Sequence, residues 1–277
     1  VILLSFFTHS LFSDFWTKQS TKLSKNTLYK IPAKTLFMGQ KLVSVPECHS
    51  TNTLLAELLQ RHELPEGTAV VTPHQTAGRG QRGNTWTSQP GKNLTVSFLL
   101  FPTFAEAARA FEITQMASLA VLDTVSAYVP GARVKWPNDI LVGARKMAGI
   151  LIENQVQGAF LSQAIVGIGL NVNQTDFALP TATSLAREIN QAVALQTLWE
   201  ELAANLERRY IGWRERKSRL DQAYLAQLYW RGEWHTFQTR EGKMEGMIEG
   251  VDSHGRLCVR TAQGVRFFSL QEIQYLA

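Results

Sequence analysis

Cysteine is scarce in this chain. Its 277 residues hold two, Cys48 and Cys258, far apart and without metal or redox spacing. That argues against a cysteine-built metal finger or redox pair and leaves two small thiols in a reducing compartment. The six histidines are scattered, and no two stand at helical or finger spacing, so no structural metal is expected. Long apolar runs are missing too. Val1–Phe7 is apolar but far short of the ~20 residues that span a bilayer, and it lacks the basic leader and small-residue cleavage site of a secretory signal. No membrane association and a cytoplasmic setting are therefore expected.

Charge is also thin, at 18% of residues, and its +5 balance is unevenly placed. Residues 1–37 carry five lysines against Asp14, which leaves only +1 for the rest. The basic balance thus describes an N-terminal extension rather than a nucleic-acid surface. Two amphipathic helices with a tight turn, as a helix-turn-helix requires, are not found in it. The expected organisation is a poorly ordered extension over 1–37, a large domain over 38–232 and a small one over 233–277.

The body alternates between two periodicities. Lys41–Val45 reads as a short strand. Ser50-Thr51-Asn52, a run of N-cap oxygens, precedes Leu54, Leu55, Leu58 and Leu59 on one helical face. Thr68–Thr72 and Asn93–Phe101 read as strands, and Phe104–Tyr128 as a long helix. A series of hairpins follows to Val172, then an amphipathic helix over Leu195–Leu220 with a basic, solvated end. Beyond Gly232, four short strands between R-E-G, D-S-H-G and A-Q-G turns read as a small β-barrel.

Four segments carry chemistry. G-R-G-Q-R-G-N-T-W at Gly78–Trp86 has three glycines in six residues, so its backbone is free to wrap a ligand, and Arg79 and Arg82 offer planar forks for carboxylate or phosphate. K-W-P-N-D-I at Lys135–Ile140 holds Asn138 and Asp139 at a stiff strand end; in isolation they would read more readily as turn formers of a hairpin. Lys146 enters the apolar strand Met147–Ile152, where a cation is costly unless it meets an anion, and Gly149 permits close approach. G-I-G-L-N at Gly167–Asn171 clears one face of a strand. It is a weak dinucleotide fingerprint, lacking the third glycine and a following helix.

Taken with S-T-N at 50–52, Q-T-A at 75–77 and R-K-M-A-G-I-L-I-E at Arg145–Glu153, these segments closely resemble biotin protein ligases, in family order and spacing, from about Lys41 to the C-terminus. The resemblance implies an α+β fold: a mixed sheet flanked by helices, related to class II aminoacyl-tRNA synthetases, with a small C-terminal SH3-like barrel. It also implies that ATP activates biotin as biotinyl-5′-AMP, with Mg²⁺ held by the phosphates. The acyl group then passes to one lysine of a biotin carboxyl carrier domain. The form implied is monofunctional, without a DNA-binding domain, and a monomer or homodimer.

By position, the resemblance places Ser50, Thr51, Asn52, Gln75, Arg79, Gly80, Gln81, Lys146 and Gly149 around biotin, with Arg79 and Lys146 at its carboxylate and the phosphate. Arg82, Asn84, Trp86, Asn138, Gly169 and Asn171 fall on the nucleotide side. Asp139 is the candidate for orienting or deprotonating the incoming lysine. Gln81 departs from the family pattern, in which arginine is common. Two rivals remain open: a lipoate ligase or octanoyl transferase, in which K-W-P-N-D has related forms, and a non-catalytic adenylate-binding module.

Overall fold

The computed structural model describes residues 29–217 and 219–276, apart from the side chain of Arg82. Seven strands form the main sheet: β1 (Leu42–Ser44), β2 (Ala69–Thr72), β3 (Leu94–Leu100), β4 (Arg133–Lys135), β5 (Asp139–Val142), β6 (Arg145–Gln157) and β7 (Phe160–Leu170). Their spatial order is β1-β2-β3-β7-β6-β5-β4. Only β1–β2 is parallel, so the sheet is mixed.

Side-chain alternation divides the sheet into an apolar face and a polar one. On β3, Leu94, Val96 and Phe98 enter the main core, whereas Thr95 and Ser97 face the other way. Farther along that second face, Leu99 joins Val70 and Ile165 beneath Leu55 and Leu58 of helix α1 (Thr51–Arg61). The main core lies under α2 (Phe111–Ser126), α4 (Leu195–Arg214) and α5 (Leu220–Ala226), where the Trp199 ring stacks on Phe98 with centroids 5.5 Å apart. A short α3 (Leu185–Ile189) precedes α4. No described helix is long and apolar enough to cross a membrane.

Several boundaries differ from expectation. Helix α2 begins at Phe111 rather than Phe104, because the preceding backbone is claimed by the β6–β7 turn: Ala107 N–H donates to Ala159 O and Leu161 N–H to Ala105 O. Helix α4 stops at Arg214, where Arg216 turns left-handed at φ 54°. Its basic end is partly tied down, since Asp123 accepts from both Arg208 and Arg209. The boundary expected at 37/38 falls inside a packed segment. Tyr29 is buried against Trp199, and the buried Glu207 carboxylate accepts the N–H groups of Leu36, Phe37 and Met38. Residues 1–28 lie outside the described residues.

The C-terminal unit comprises β8 (Trp234–Thr239), β9 (Gly242–Val251), β10 (Leu257–Thr261), β11 (Gly264–Phe268) and β12 (Ile273–Tyr275). It is an antiparallel sheet in the order β11-β10-β9-β8-β12, with no pairing between its edges to close it. Phe237, Ile248, Val259 and Ile273 belong to the same buried cluster as the core of the main sheet. Trp136 Nε1 also donates to Gly255 O at 2.9 Å, so K-W-P is fastened to the C-terminal unit.

Candidate active site

Residues directly opposite one another in antiparallel strands share a face. The register places Thr72, Thr95, Gly169, Gly149, Asp139 and Lys135 in one row across the sheet. The next row runs through Val70, Ser97, Gly167 and Leu151. Gly149, Gly167 and Gly169 strip side chains from the middle of this face, leaving a bare floor with hydroxyls on one side and charges on the other.

The space is occupied from above. A Cβ at Gly169 would lie 2.3 Å from the Trp86 indole, and one at Gly167 would lie 2.2 Å from Asn52 Oδ1, so both glycines are required for this packing. Gly149 is less crowded, with Lys146 Nζ at 3.1 Å and the Trp86 ring at 3.4 Å. Trp86 Nε1 is buried without a partner.

The backbone of the loop delivering Trp86 was expected to be free to wrap a ligand. It closes on itself instead: Trp86 N–H donates to Gly78 O, Gly80 N–H to Asn84 O, and Gln81–Gly83 makes the turn, with Gly83 at φ 78°. Three of its backbone N–H groups, those of Gly80, Asn84 and Trp86, thus find their acceptors within the loop itself.

A small cleft and a larger cavity meet at Trp86 and Gly149. The cleft, about 30 Å³, is lined by Ser50, Thr51, Asn52, Gln75, Arg79 and the glycine floor. Ser50 occupies the N-cap of α1, but its hydroxyl makes no capping bond. Gln75 supplies the cap from a different loop: its Oε1 accepts Thr51 N–H at 2.8 Å. The expected capping oxygens of S-T-N are therefore free for other work, and Ser97 Oγ lies 2.7 Å from Thr51 Oγ1 and 2.6 Å from Asn52 Oδ1.

The cavity, about 470 Å³, is lined by Gly80, Gln81, Asn84, Asn138, Asp139 and Lys146, and by Tyr275 from β12. Lys146 Nζ pairs with Asp139 at 2.7 Å and stands 5.9 Å from the Trp86 ring centre. Its backbone is gripped from both sides, donating to Thr181 O and accepting from Thr183 N–H. Arg79, at the cleft, forms an ion pair with Glu153. Each of these cations thus faces a carboxylate.

Two nucleotide-side candidates have other employment. Asn138 is buried and donates its amide to Ile150 O, locking the β5 entrance onto β6. Asn171 lies outside the linings of both the cleft and the cavity: Nδ2 donates to Thr183 O at 3.0 Å, and its buried Oδ1 has no partner. The Arg82 side chain lies outside what the structure describes.

Sequence reasoning missed four residues. Ser97 was recoverable from the polar alternation of β3. Glu153 ends a recognised motif. Lys135 begins another; it lines the cavity 4.9 Å from the Tyr275 ring centre, and its ammonium pKa is lowered, first by burial and then by Lys146, while Asp139 opposes both. Tyr275 left no signal, because only the docking of β12 brings it there. The two thiols are free and half-buried, and burial pushes Cys48 up to about 11.

Comparison with known proteins identifies the arrangement. Residues 45–171 match the Biotin/lipoate A/B protein ligase family, and residues 236–275 match the Biotin protein ligase C terminal domain. The bifunctional ligase/repressor BirA of Bacillus spizizenii is 31% identical over 90% of this chain and 78% of its own length. The biotin–acetyl-CoA-carboxylase ligase of Paracoccus denitrificans is 32% identical over 80% of this chain and 97% of its own. Among solved structures, the biotin protein ligase of Aquifex aeolicus in complex with biotin and ATP superposes with a TM-score of 0.71 at 25% identity, covering 85% of this chain and 98% of that one. Two domain signatures in order, near full-length relatives and a shared fold lead to one conclusion: this chain belongs to the biotin protein ligase family.

Proposed function

We propose that this ATP-dependent biotin ligase works through the two joined spaces on the glycine floor, the small cleft taking the biotin rings and the larger cavity the nucleotide. The observation that carries the assignment is their junction at Trp86 and Gly149, beside which Lys146 Nζ stands on the cavity side. A neutral ureido ring needs donors and acceptors, which Ser50, Thr51, Asn52 and Gln75 supply.

In the first step a biotin carboxylate oxygen attacks the α-phosphorus of ATP. The bond to the β-phosphate breaks and pyrophosphate leaves. Lys146 and Arg79 offset the charge gathering on the equatorial oxygens, which is the main electrostatic demand of phosphoryl transfer. Gly80, Gln81, Asn84 and Trp86 cover the adenylate, while Asn138 holds the strand end that presents Asp139. In the second step the neutral ε-amine of a lysine on a biotin carboxyl carrier domain attacks the acyl carbon, and AMP departs. Asp139, released from Lys146 once the phosphate arrives, is the acceptor for the ammonium proton.

ATP enters as its Mg²⁺ salt. Among the described residues no three His, Cys, Asp or Glu side chains form a metal set, so phosphate oxygens and water are the assigned ligands. The C-terminal strand order, with the last strand beside the first, supports an SH3-like reading of that unit.

The test is pyrophosphate release with ATP, Mg²⁺ and either biotin or lipoate, followed by an apo carrier domain. Biotin-dependent release and labelling of one carrier lysine are expected. Release with lipoate alone would reject the assignment.

A further inference from the structure

We infer that Glu153 is a positioning residue that links the two halves of the site, holding Arg79 in the unliganded protein and yielding it to the substrate carboxylate; this rests on the assignment of the cleft to biotin. An acid at this place is otherwise paradoxical. It subtracts charge from a site that must hold a carboxylate and a phosphate.

Its contacts resolve the paradox. Glu153 lies on the polar face of β6, opposite Ile165. One carboxylate oxygen accepts from Arg79 Nη2, and the other accepts from Asn52 Nδ2 at 2.8 Å. Arg79 Nη1 donates to Thr53 Oγ1 at 3.1 Å, so α1 and β6 hold the guanidinium together. Asn52 Oδ1 accepts the Ser97 hydroxyl proton, Ser97 Oγ lies 2.7 Å from Thr51 Oγ1, and Thr51 N–H donates to Gln75 Oε1 at 2.8 Å. The result is one continuous hydrogen-bond chain from Gln75 to Arg79, running beneath the cleft and ending at the charged loop.

The chain does two things. It fixes the Asn52 amide, with oxygen toward a hydroxyl and nitrogen toward a carboxylate, so that the cleft is oriented before any ligand enters. It also parks Arg79 by an ion pair whose two side chains are 46% and 37% exposed. A pair that open to water is weakly held and readily exchanged. A ligand carboxylate takes over the guanidinium, while Glu153 keeps its bond to Asn52.

The two functions of Glu153 separate by substitution. Glu153→Gln keeps an acceptor for Asn52 and removes the charge that holds Arg79. Glu153→Ala removes both. Calorimetric binding of biotin and of biotinol, its alcohol analogue, to the full chain without ATP reads each function. Glu153→Gln is expected to bind biotin about threefold tighter, since no carboxylate competes for Arg79, and to bind biotinol unchanged. Glu153→Ala is expected to bind biotinol about fivefold more weakly, through loss of the Asn52 bond. Amide hydrogen exchange over residues 78–86 in the unliganded protein should accelerate in both variants. Equal weakening of biotin and biotinol by Glu153→Gln, or unchanged loop exchange, would overturn the role of Glu153 alone. A wild-type chain that binds neither compound would overturn the cleft assignment, and this proposal with it.

Discussion

The two ends of the site solve opposite problems. The cleft end is nearly filled and internally bonded: Gln75, Thr51, Ser97 and Asn52 bond one another over a floor of glycines, and its one cation, Arg79, is paired with Glu153. The cavity end is open and charged, and its Lys146 is held by Asp139. A neutral heterocycle is recognised by directed donors and acceptors, which must be oriented in advance because each misdirected group costs about 1–3 kcal/mol when buried. A phosphate is recognised by charge, which tolerates looser placement and can be screened by a carboxylate until the ligand arrives. The difference makes one end rely on directed hydrogen bonds and the other on a cation screened until a ligand arrives.

The sharpest test of that contrast is Lys146→Gln. Adenylation should fall about 10²–10³-fold, as for removal of a transition-state donor. Binding of biotinol, which engages only the cleft, should be nearly unchanged in a calorimeter. A comparable loss of biotinol affinity would collapse the distinction between the ends. The fold should persist, because Lys146 is held in place by its backbone bonds to Thr181 and Thr183.

Gly169→Val attacks the floor that both ends share. The added Cβ meets Trp86 at 2.3 Å, so the indole must leave the floor. A displacement of that size should cost about 100-fold in pyrophosphate release. Retention of more than half the rate would show that Trp86 need not rest there.

Lys135 tests how far the charged end extends. Its lowered pKa means that it loses its proton at a lower pH than an ordinary lysine. If its charge serves the nucleotide phosphates, the alkaline limb of the pH–rate profile should reflect this loss. Lys135→Arg, which stays protonated, should move that limb upward. Lys135→Met should reduce adenylation about tenfold at neutral pH, yet leave transfer from preformed biotinyl-5′-AMP unaffected. The groups that face it are Asp139, Lys146 and the Tyr275 ring, so an unmoved limb would exclude Lys135 from the phosphate site.

Ser97→Ala probes the cleft by a smaller step. Losing the hydroxyl between Thr51 and Asn52 should raise KM for biotin about fivefold with kcat and KM for ATP unchanged. A change confined to kcat would contradict a ground-state role. The smallest effect on rate is expected from a chain begun at Met38, which loses Tyr29 and two of the donors to Glu207. Activity at low temperature should be retained while Tm falls by about 5 °C; an unchanged melting curve would show that the packed segment contributes nothing.

Much of the site was legible because its chemistry is written in short segments. Glycines spaced by two on β7, a lysine entering an apolar strand, and arginines between glycines each signal an anomaly that ordinary core or loop residues would not need. Helix boundaries were less legible. Phe104–Ala110 has helical composition, but the β6–β7 turn takes its backbone groups, and that competitor is some fifty residues away. The segment before Met38 looked dispensable because its lysines and serines carry no periodicity. Its anchors are distant residues of α4: the buried Glu207, and Trp199, which packs on Tyr29 and donates to Lys30 O.

The sequence by itself determined the family, the order of the chemical segments and the identity of the cations, because residue type and local spacing suffice for those. Only the tertiary structure decided which carboxylate each cation faces, that Gln75 caps α1, that Ser97 and Glu153 complete the cleft, and that Tyr275 reaches the cavity from the C-terminal sheet. The physical reason is register. A strand specifies which of its side chains share a face, but the partner opposite each one is chosen by pairing across the sheet, and no local stretch of sequence records that choice.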